Sequence, residues 1–157
     1  MKLENILNEY DLAKIVAVGL EAKAAVEEVI GRYEGRAAYA AAWRLAKIAD
    51  DTKDKGAVIK VAKIMSLDEI VRTIGRYEGR AAYDVAWRFA EIADDTKDKE
   101  AVIESARAIG RYEGEAARGV AFGLAKIAGY TKDKGAVMTA CRLVEMSYRY
   151  TKSGLLS

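Results

Sequence analysis

A six-residue motif that occurs three times constrains this chain more than any other feature of its sequence. The motif reads Ile-Gly-Arg-Tyr-Glu-Gly and occupies residues 30–35, 74–79 and 109–114. The similarity extends beyond the motif, since residues 30–55 and 74–99 are identical at 22 of 26 positions, and residues 74–99 and 109–134 at 17 of 26. Self-similarity at a period of about 20 to 50 residues is typical of proteins built from stacked repeat units.

The distance between motif copies divides the chain into units. The period is 44 residues between the first two copies and 35 between the second and third. The nine additional residues of the longer unit lie just before Ile74, around Ser66–Thr73. We therefore predict one helical-repeat domain over residues 1–157, with units 8–51, 52–95 and 96–130 and a truncated fourth unit, 131–157.

The apolar residues of each unit recur with the period of an α-helix, and we predict a long inner helix over Arg36–Asp50 in unit one. Its buried face is predicted to contain Ala38, Ala41, Ala42, Leu45, Ile48 and Ala49. Tyr39, Trp43 and Ala46 are predicted to extend this face on one side, and Ala40 is assigned to the narrow polar stripe. Unit two repeats the design with Ala82, Val85, Ala86, Phe89, Ile92 and Ala93. An apolar arc this wide indicates a helix with neighbours on several sides.

Capping residues give the expected helix ends. Asp51 or Thr52 is predicted to cap the helix that follows it. Ser66 and Glu69 have the spacing of a capping box, which leaves two alternatives for the 44-residue units: a third, short helix or one lengthened helix. Gly31 and Gly35 bracket the turn into the inner helix, where glycine commonly supplies a left-handed C-cap.

The composition excludes several classes of function. The chain has no His and one Cys, Cys141, so it lacks imidazole catalysis and any Cys-cluster metal site, and we expect no catalytic residues, no metal site and no cofactor. A net charge of +2 gives no overall attraction to nucleic acid or to anionic membranes. The uncharged runs are far shorter than the roughly 20 residues of a membrane span, so we expect a soluble, cytoplasmic protein without a membrane partner. The scarcity of Asn and the absence of Gln are typical of thermophile proteins.

A tandem array of two- or three-helix units resembles an α-solenoid. The 44-residue form is similar to HEAT and armadillo units and, more distantly, to tetratricopeptide repeats. Ile74-Gly75-Arg76-Tyr77 places its Tyr one position earlier than the tetratricopeptide pattern requires, and no specific family is matched. The resemblance implies an all-α, right-handed α-solenoid of about 3.5 units without a sheet. It also implies a non-enzymatic interaction scaffold that binds a protein or peptide.

Two sets of residues are candidates for partner binding. The first lies in the repeated turns, which are expected to form a ridge whose tyrosines either pack as structural residues or are presented to a protein partner: Arg32, Tyr33, Glu34, Arg76, Tyr77, Glu78, Arg111, Tyr112 and Glu113. The second is a stripe on the inner helices, the basis of an alternative function in binding nucleic acid: Arg36, Trp43, Arg44, Arg80, Trp87 and Arg88. Unit three has Glu115 and Gly123 at the equivalent arginine positions, so this stripe spans two units. The oligomeric state stays open.

Overall fold

The computed structural model describes residues 1–153, and within them the chain is 83% helical with nine α-helices and no strand. A short 3-10 helix, Leu3–Asn5, comes first. The α-helices are α1 (Glu9–Val18), α2 (Leu20–Gly31), α3 (Gly35–Thr52), α4 (Lys55–Met65), α5 (Asp68–Ile74), α6 (Gly79–Thr96), α7 (Lys99–Ile109), α8 (Gly114–Thr131) and α9 (Lys134–Lys152). The prediction of an all-α chain without a sheet is therefore confirmed.

The 44-residue units contain three helices, which settles the alternative left open by the sequence. In the second unit these helices are α4, α5 and α6, and the shortest, α5, lies in the middle. The 35-residue unit contains only α7 and α8. Because α4 and α7 both have 11 residues, the nine-residue difference between the units consists of α5 and the turn that precedes it.

The cap of the helix that follows α3 lies two or three residues later than expected. Asp54 is the N-cap of α4, and its carboxylate accepts a 2.8 Å hydrogen bond from the Gly56 amide. Thr52 is the last residue of α3, and its hydroxyl donates to the Ile48 carbonyl and accepts from the Asp54 amide. The prediction that Asp51 or Thr52 caps α4 is wrong because α3 continues through both residues.

The other two predicted caps also differ from the structure. Leu67 is the N-cap of α5, and the Ser66 hydroxyl instead donates to the Ala62 carbonyl of the preceding helix, so no capping box forms. Gly35 has a positive φ, but it is the first residue of α3 and not a C-cap. The C-cap residues of α3, α6 and α8 are lysines in the left-handed conformation, with φ between 52° and 54°: Lys53, Lys97 and Lys132.

The predicted buried faces of the long helices are confirmed. All twelve apolar residues assigned to the cores of α3 and α6 are buried. Ala40, which was assigned to the polar stripe, is buried too. Its burial follows from the position of α3, which contacts α1, α2, α4 and α6 and therefore has a wider buried arc than the periodicity indicates.

The helices are arranged in two rows. In the first row α1, α3, α6 and α8 contact one another in that order. In the second row α2 contacts α4, α5 contacts α7, and α7 contacts α9. Each of α3, α6 and α8 starts at a copy of the six-residue motif and ends at a Thr-Lys-Asp-Lys corner, so equivalent positions recur along the first row.

Candidate interaction surface

The tyrosines of the repeated motif lie between units and not on an exposed ridge. Tyr33 is 5% exposed and Tyr77 is 9% exposed, while Tyr112 is partly buried. The Tyr33 hydroxyl donates to the Met65 carbonyl at the end of α4, and the Tyr77 hydroxyl donates to the Ile109 carbonyl at the end of α7, 2.9 Å away. The burial of Tyr33 and Tyr77 therefore favours the alternative in which these tyrosines pack as structural residues over their presentation to a partner.

The physical reason is that the end of a helix leaves carbonyl oxygens without intrahelical donors. A buried tyrosine hydroxyl supplies one such donor, and its ring fills the space between the units. The Tyr112 hydroxyl also donates to a carbonyl, that of Val144 at 3.5 Å, but Val144 lies inside α9 and not at a helix end. Burial also raises the pKa of the Tyr33 and Tyr77 phenols, since the charged form would lose its hydration.

The arginines of the motif reach the same helix ends. Arg32 donates to the Ser66 carbonyl and forms an ion pair with Asp68. Arg76 donates to the Gly110 carbonyl at 2.6 Å, and the Arg111 guanidinium lies 3.5 Å from the Glu145 carboxylate. These side chains remain largely exposed, as do Glu34, Glu78 and Glu113, the N-cap residues of α3, α6 and α8. A partner role for these six charged residues stays a prediction.

The first row of helices carries a group of aromatic side chains, three of them exposed and two partly buried, which we call the aromatic row. Its members are Tyr39 and Trp43 on α3, Tyr83 and Trp87 on α6, and Phe122 on α8. The Trp43 and Trp87 ring centroids are 4.7 Å apart, and both Tyr39–Tyr83 and Tyr83–Trp87 stack at 6.2 Å. Tyr39 is 42% exposed, Trp43 36% and Phe122 46%. The rings are held by one another and still offer surface to the solvent.

Two of the stripe arginines lie against the aromatic row. The Arg44 guanidinium is 5.5 Å from the centre of the Trp87 ring, and that of Arg88 is 4.8 Å from the centre of Phe122. Arg88 also forms a 2.6 Å ion pair with Glu91, and Arg44 lies 3.8 Å from the Asp94 carboxylate. These contacts neutralise both charges and partly cover both guanidinium groups, which reduces their availability to phosphate.

The other two stripe arginines are exposed at the N-terminal ends of α3 and α6. Arg36 and Arg80, together with Tyr39, Tyr83 and Asp84, line an open groove of about 660 Å³. Asp84 is already bound by Arg118, 2.5 Å away, and lies 3.9 Å from Arg80. No carboxylate within residues 1–153 lies within 4 Å of the Arg36 guanidinium. This end of the aromatic row therefore carries unpaired positive charge.

Among the six stripe residues, the structure places Arg36 and Arg80 in one groove, Trp43 against Trp87, and Arg44 and Arg88 against aromatic rings of the next long helix. The sequence analysis did not include Tyr39, Tyr83 and Phe122 among the candidate residues. The sequence contains a signal for the two tyrosines. Tyr39 and Tyr83 precede Trp43 and Trp87 by four residues, and this spacing places each tyrosine on the same side of its helix as the tryptophan.

The known proteins give no family for this chain. A comparison with protein-family models, with curated proteins and with solved structures found no match. No helix within residues 1–153 combines the length and the apolar character needed to cross a membrane. The geometry of the aromatic row and the chemistry of its charged neighbours are therefore the basis for assigning a function.

Proposed function

We propose that the chain is a right-handed α-solenoid of about 3.5 units that acts as a non-enzymatic interaction scaffold. Its aromatic row binds a peptide segment of a partner protein. The two rows of helices and the recurrence of equivalent side chains support the solenoid arrangement. The single observation that carries the binding proposal is the aromatic row itself, which has members on α3, α6 and α8 and leaves Tyr39, Trp43 and Phe122 exposed.

The aromatic row suits a protein partner because it is already ordered in the free chain. Tyrosine and tryptophan are enriched among the residues that dominate protein–protein binding energy. Contact between neighbouring rings, as in the tilted Trp43–Trp87 pair, reduces the side-chain entropy that binding would otherwise cost. The partner segment would place apolar side chains on these rings.

The charge at one end of the row defines a second property of the partner. Arg36 and Arg80 are exposed beside Tyr39 and Tyr83, and the one carboxylate in that groove, Asp84, is bound by Arg118. An acidic side chain of the partner would complement the two arginines and fix the direction in which the segment lies. We therefore propose a segment that combines apolar residues with at least one acidic residue.

A selection experiment tests this proposal. Random peptides displayed on phage are selected on the immobilised chain, and the affinity of each selected peptide is measured for the wild type and three variants. We expect Tyr39→Ser and Arg36→Ser to weaken binding about tenfold or more, since each removes a contact at the proposed site. Tyr130→Ser is the matched control, because Tyr130 is 81% exposed on α8 and lies outside the aromatic row.

The outcomes separate protein binding from the nucleic-acid alternative. The peptide proposal is overturned if no peptide is enriched over background. It is also overturned if the selected peptides bind Tyr39→Ser and Arg36→Ser as tightly as they bind the wild type. Single-stranded and duplex nucleic acids are titrated in parallel at low salt. Nucleic acid would be favoured if the binding constant for a duplex falls by about 0.9 log units per contacted phosphate for each tenfold rise in salt concentration. Arg36→Ser should then also weaken this binding.

A further inference from the structure

A second groove lies in the other row of helices, between α5 and α7. It is open, has a volume of about 420 Å³, and none of its lining residues belongs to the aromatic row. Four of the eight lining residues are arginines, Arg72, Arg76, Arg107 and Arg111, and one, Glu69, is acidic. Such a concentration of guanidinium groups contrasts with the near-neutral charge of the whole chain.

The four arginines form two equivalent pairs. Arg72 and Arg107 lie in the last turns of α5 and α7, and Arg76 and Arg111 lie in the turns that follow, each pair separated by the 35-residue period. In the first unit the position equivalent to Arg72 is Glu28. Within residues 1–153 the fourfold arrangement therefore arises only where α5 meets α7.

The charges around the groove are only partly balanced. Arg107 forms ion pairs with Glu69 at 3.5 Å and with Glu104 at 2.8 Å, and Arg111 lies 3.5 Å from Glu145. Arg72 has no carboxylate within 4 Å in the described part of the chain. Each guanidinium has five N–H donors, so these contacts leave donors available to a ligand.

Gly110 makes room for the convergence of the arginines. A Cβ atom at this position would lie 3.2 Å from the Arg76 guanidinium and 3.0 Å from the Ala106 carbonyl oxygen. Both distances are shorter than ordinary contacts, so a larger residue would require the Arg76 guanidinium, which donates to the Gly110 carbonyl at 2.6 Å, to shift by a few tenths of an ångström. Glycine at position 110 therefore lets Arg76 lie close to the backbone at the end of α7.

We propose that this groove binds a small ligand with two or three linked phosphoryl groups. The planar guanidinium fork matches phosphate oxygens and forms paired, charge-assisted hydrogen bonds with them. One pair of arginines lies in the last helical turns and the other pair in the turns that follow, so a ligand with more than one phosphoryl group can contact both pairs. The proposal concerns a different surface and a different ligand class from the proposed peptide site, and it does not depend on that site.

Calorimetric titration with inorganic tripolyphosphate at low ionic strength tests the proposal, with orthophosphate as the single-phosphate comparison. We expect saturable binding of one tripolyphosphate per chain, tighter than that of orthophosphate. Arg72→Ser should weaken it about tenfold or more, and Arg72→Lys should restore only part of the loss, since lysine keeps the charge without the fork. Lys47→Ser, which removes an exposed positive charge on α3 outside both proposed sites, should bind as the wild type does.

A variant that is expected to bind more tightly distinguishes an effect on the site from a loss of folding, because an unfolded protein could only bind less well. Glu69→Gln removes the one carboxylate that lines the groove, so it should tighten binding, whereas an arginine cluster with a purely structural role predicts no gain. The proposal is overturned if tripolyphosphate does not saturate, if Arg72→Ser binds like the wild type, or if Glu69→Gln fails to bind more tightly. It is also overturned if a short single-stranded oligonucleotide binds here and tripolyphosphate does not.

Discussion

The tyrosine of the repeated motif connects each unit to the next through a hydrogen bond of constant register. Tyr33, Tyr77 and Tyr112 each contact the carbonyl 32 residues further along the chain, although the units themselves differ in length. The register is kept because the additional helix α5 follows the acceptor, Met65, and not the donor. The spacing between donor and acceptor is therefore 32 residues in units of both lengths.

The Tyr33 hydroxyl gives a prediction at the residue scale. Tyr33→Phe leaves the Met65 carbonyl without this donor, so the free energy of unfolding should fall by about 1–3 kcal/mol at neutral pH. Because burial raises the pKa of Tyr33 above its ordinary value of 10, the wild type should lose this advantage as the pH rises above 10. The loss is expected at about 1.4 kcal/mol per pH unit, since the unfolded phenol ionises while the folded phenol stays neutral.

Urea denaturation of both chains between pH 7 and about pH 11 measures this difference. Tyr130→Phe is the control, because its exposed hydroxyl should change stability by less than about 0.5 kcal/mol at any pH. A Tyr33→Phe cost that stays constant above pH 10 would show that the phenol is not held neutral by burial.

At the scale of the elements, the helices α3, α6 and α8 end in the same way. Each ends at a Thr whose hydroxyl bonds to the preceding turn, and each is followed by a lysine with positive φ and an aspartate that caps the next helix. The left-handed conformation costs a residue with a Cβ atom about 1–2 kcal/mol, which glycine avoids. The corner therefore has a fixed geometry that its lysines do not favour.

Lys53→Gly should therefore raise the free energy of unfolding by about 1 kcal/mol. The Lys53 side chain is mostly exposed, and its ion pair with Asp50 lies at the surface, where such pairs contribute little. Lys60→Gly is the matched control. Lys60 is an exposed residue inside α4, where glycine should lower stability by about 1 kcal/mol. Thermal or urea unfolding that gives both variants the same sign of change would contradict this account.

The elements also show which features the sequence predicts and which it does not. The core of α3, including Leu45 and Ile48, follows from helical periodicity alone, because burial on one face of a helix is a local pattern. The inward position of Tyr33 depends on the docking of α4, which a motif in a turn does not reveal. The same holds for Arg44, whose contact with Trp87 joins two units 44 residues apart.

Within the whole molecule, the number of neighbours differs strongly from helix to helix. In the first row α6 lies between α3 and α8 and contacts both extensively. By contrast, α9 buries only Val137 and Cys141 along its 19 residues. Stability in arrays of stacked units is carried by contacts between neighbours. Helices with neighbours on both sides should therefore open less readily than helices at the ends.

Hydrogen exchange measured by mass spectrometry under native conditions tests this distribution. We expect the slowest exchange in α3 and α6 and the fastest in the part of α9 that follows Cys141, because local opening costs least where few apolar contacts are lost.

Phe89→Ala, which empties a fully buried position of α6, should lower stability by about 3–5 kcal/mol and speed exchange in α3 and α8 as well. Leu143→Ala, at an exposed position of α9, should leave exchange in α3 and α6 unchanged. Equal protection along the chain, or an effect of Phe89→Ala that stays within α6, would mean that contacts between neighbouring helices do not couple the units.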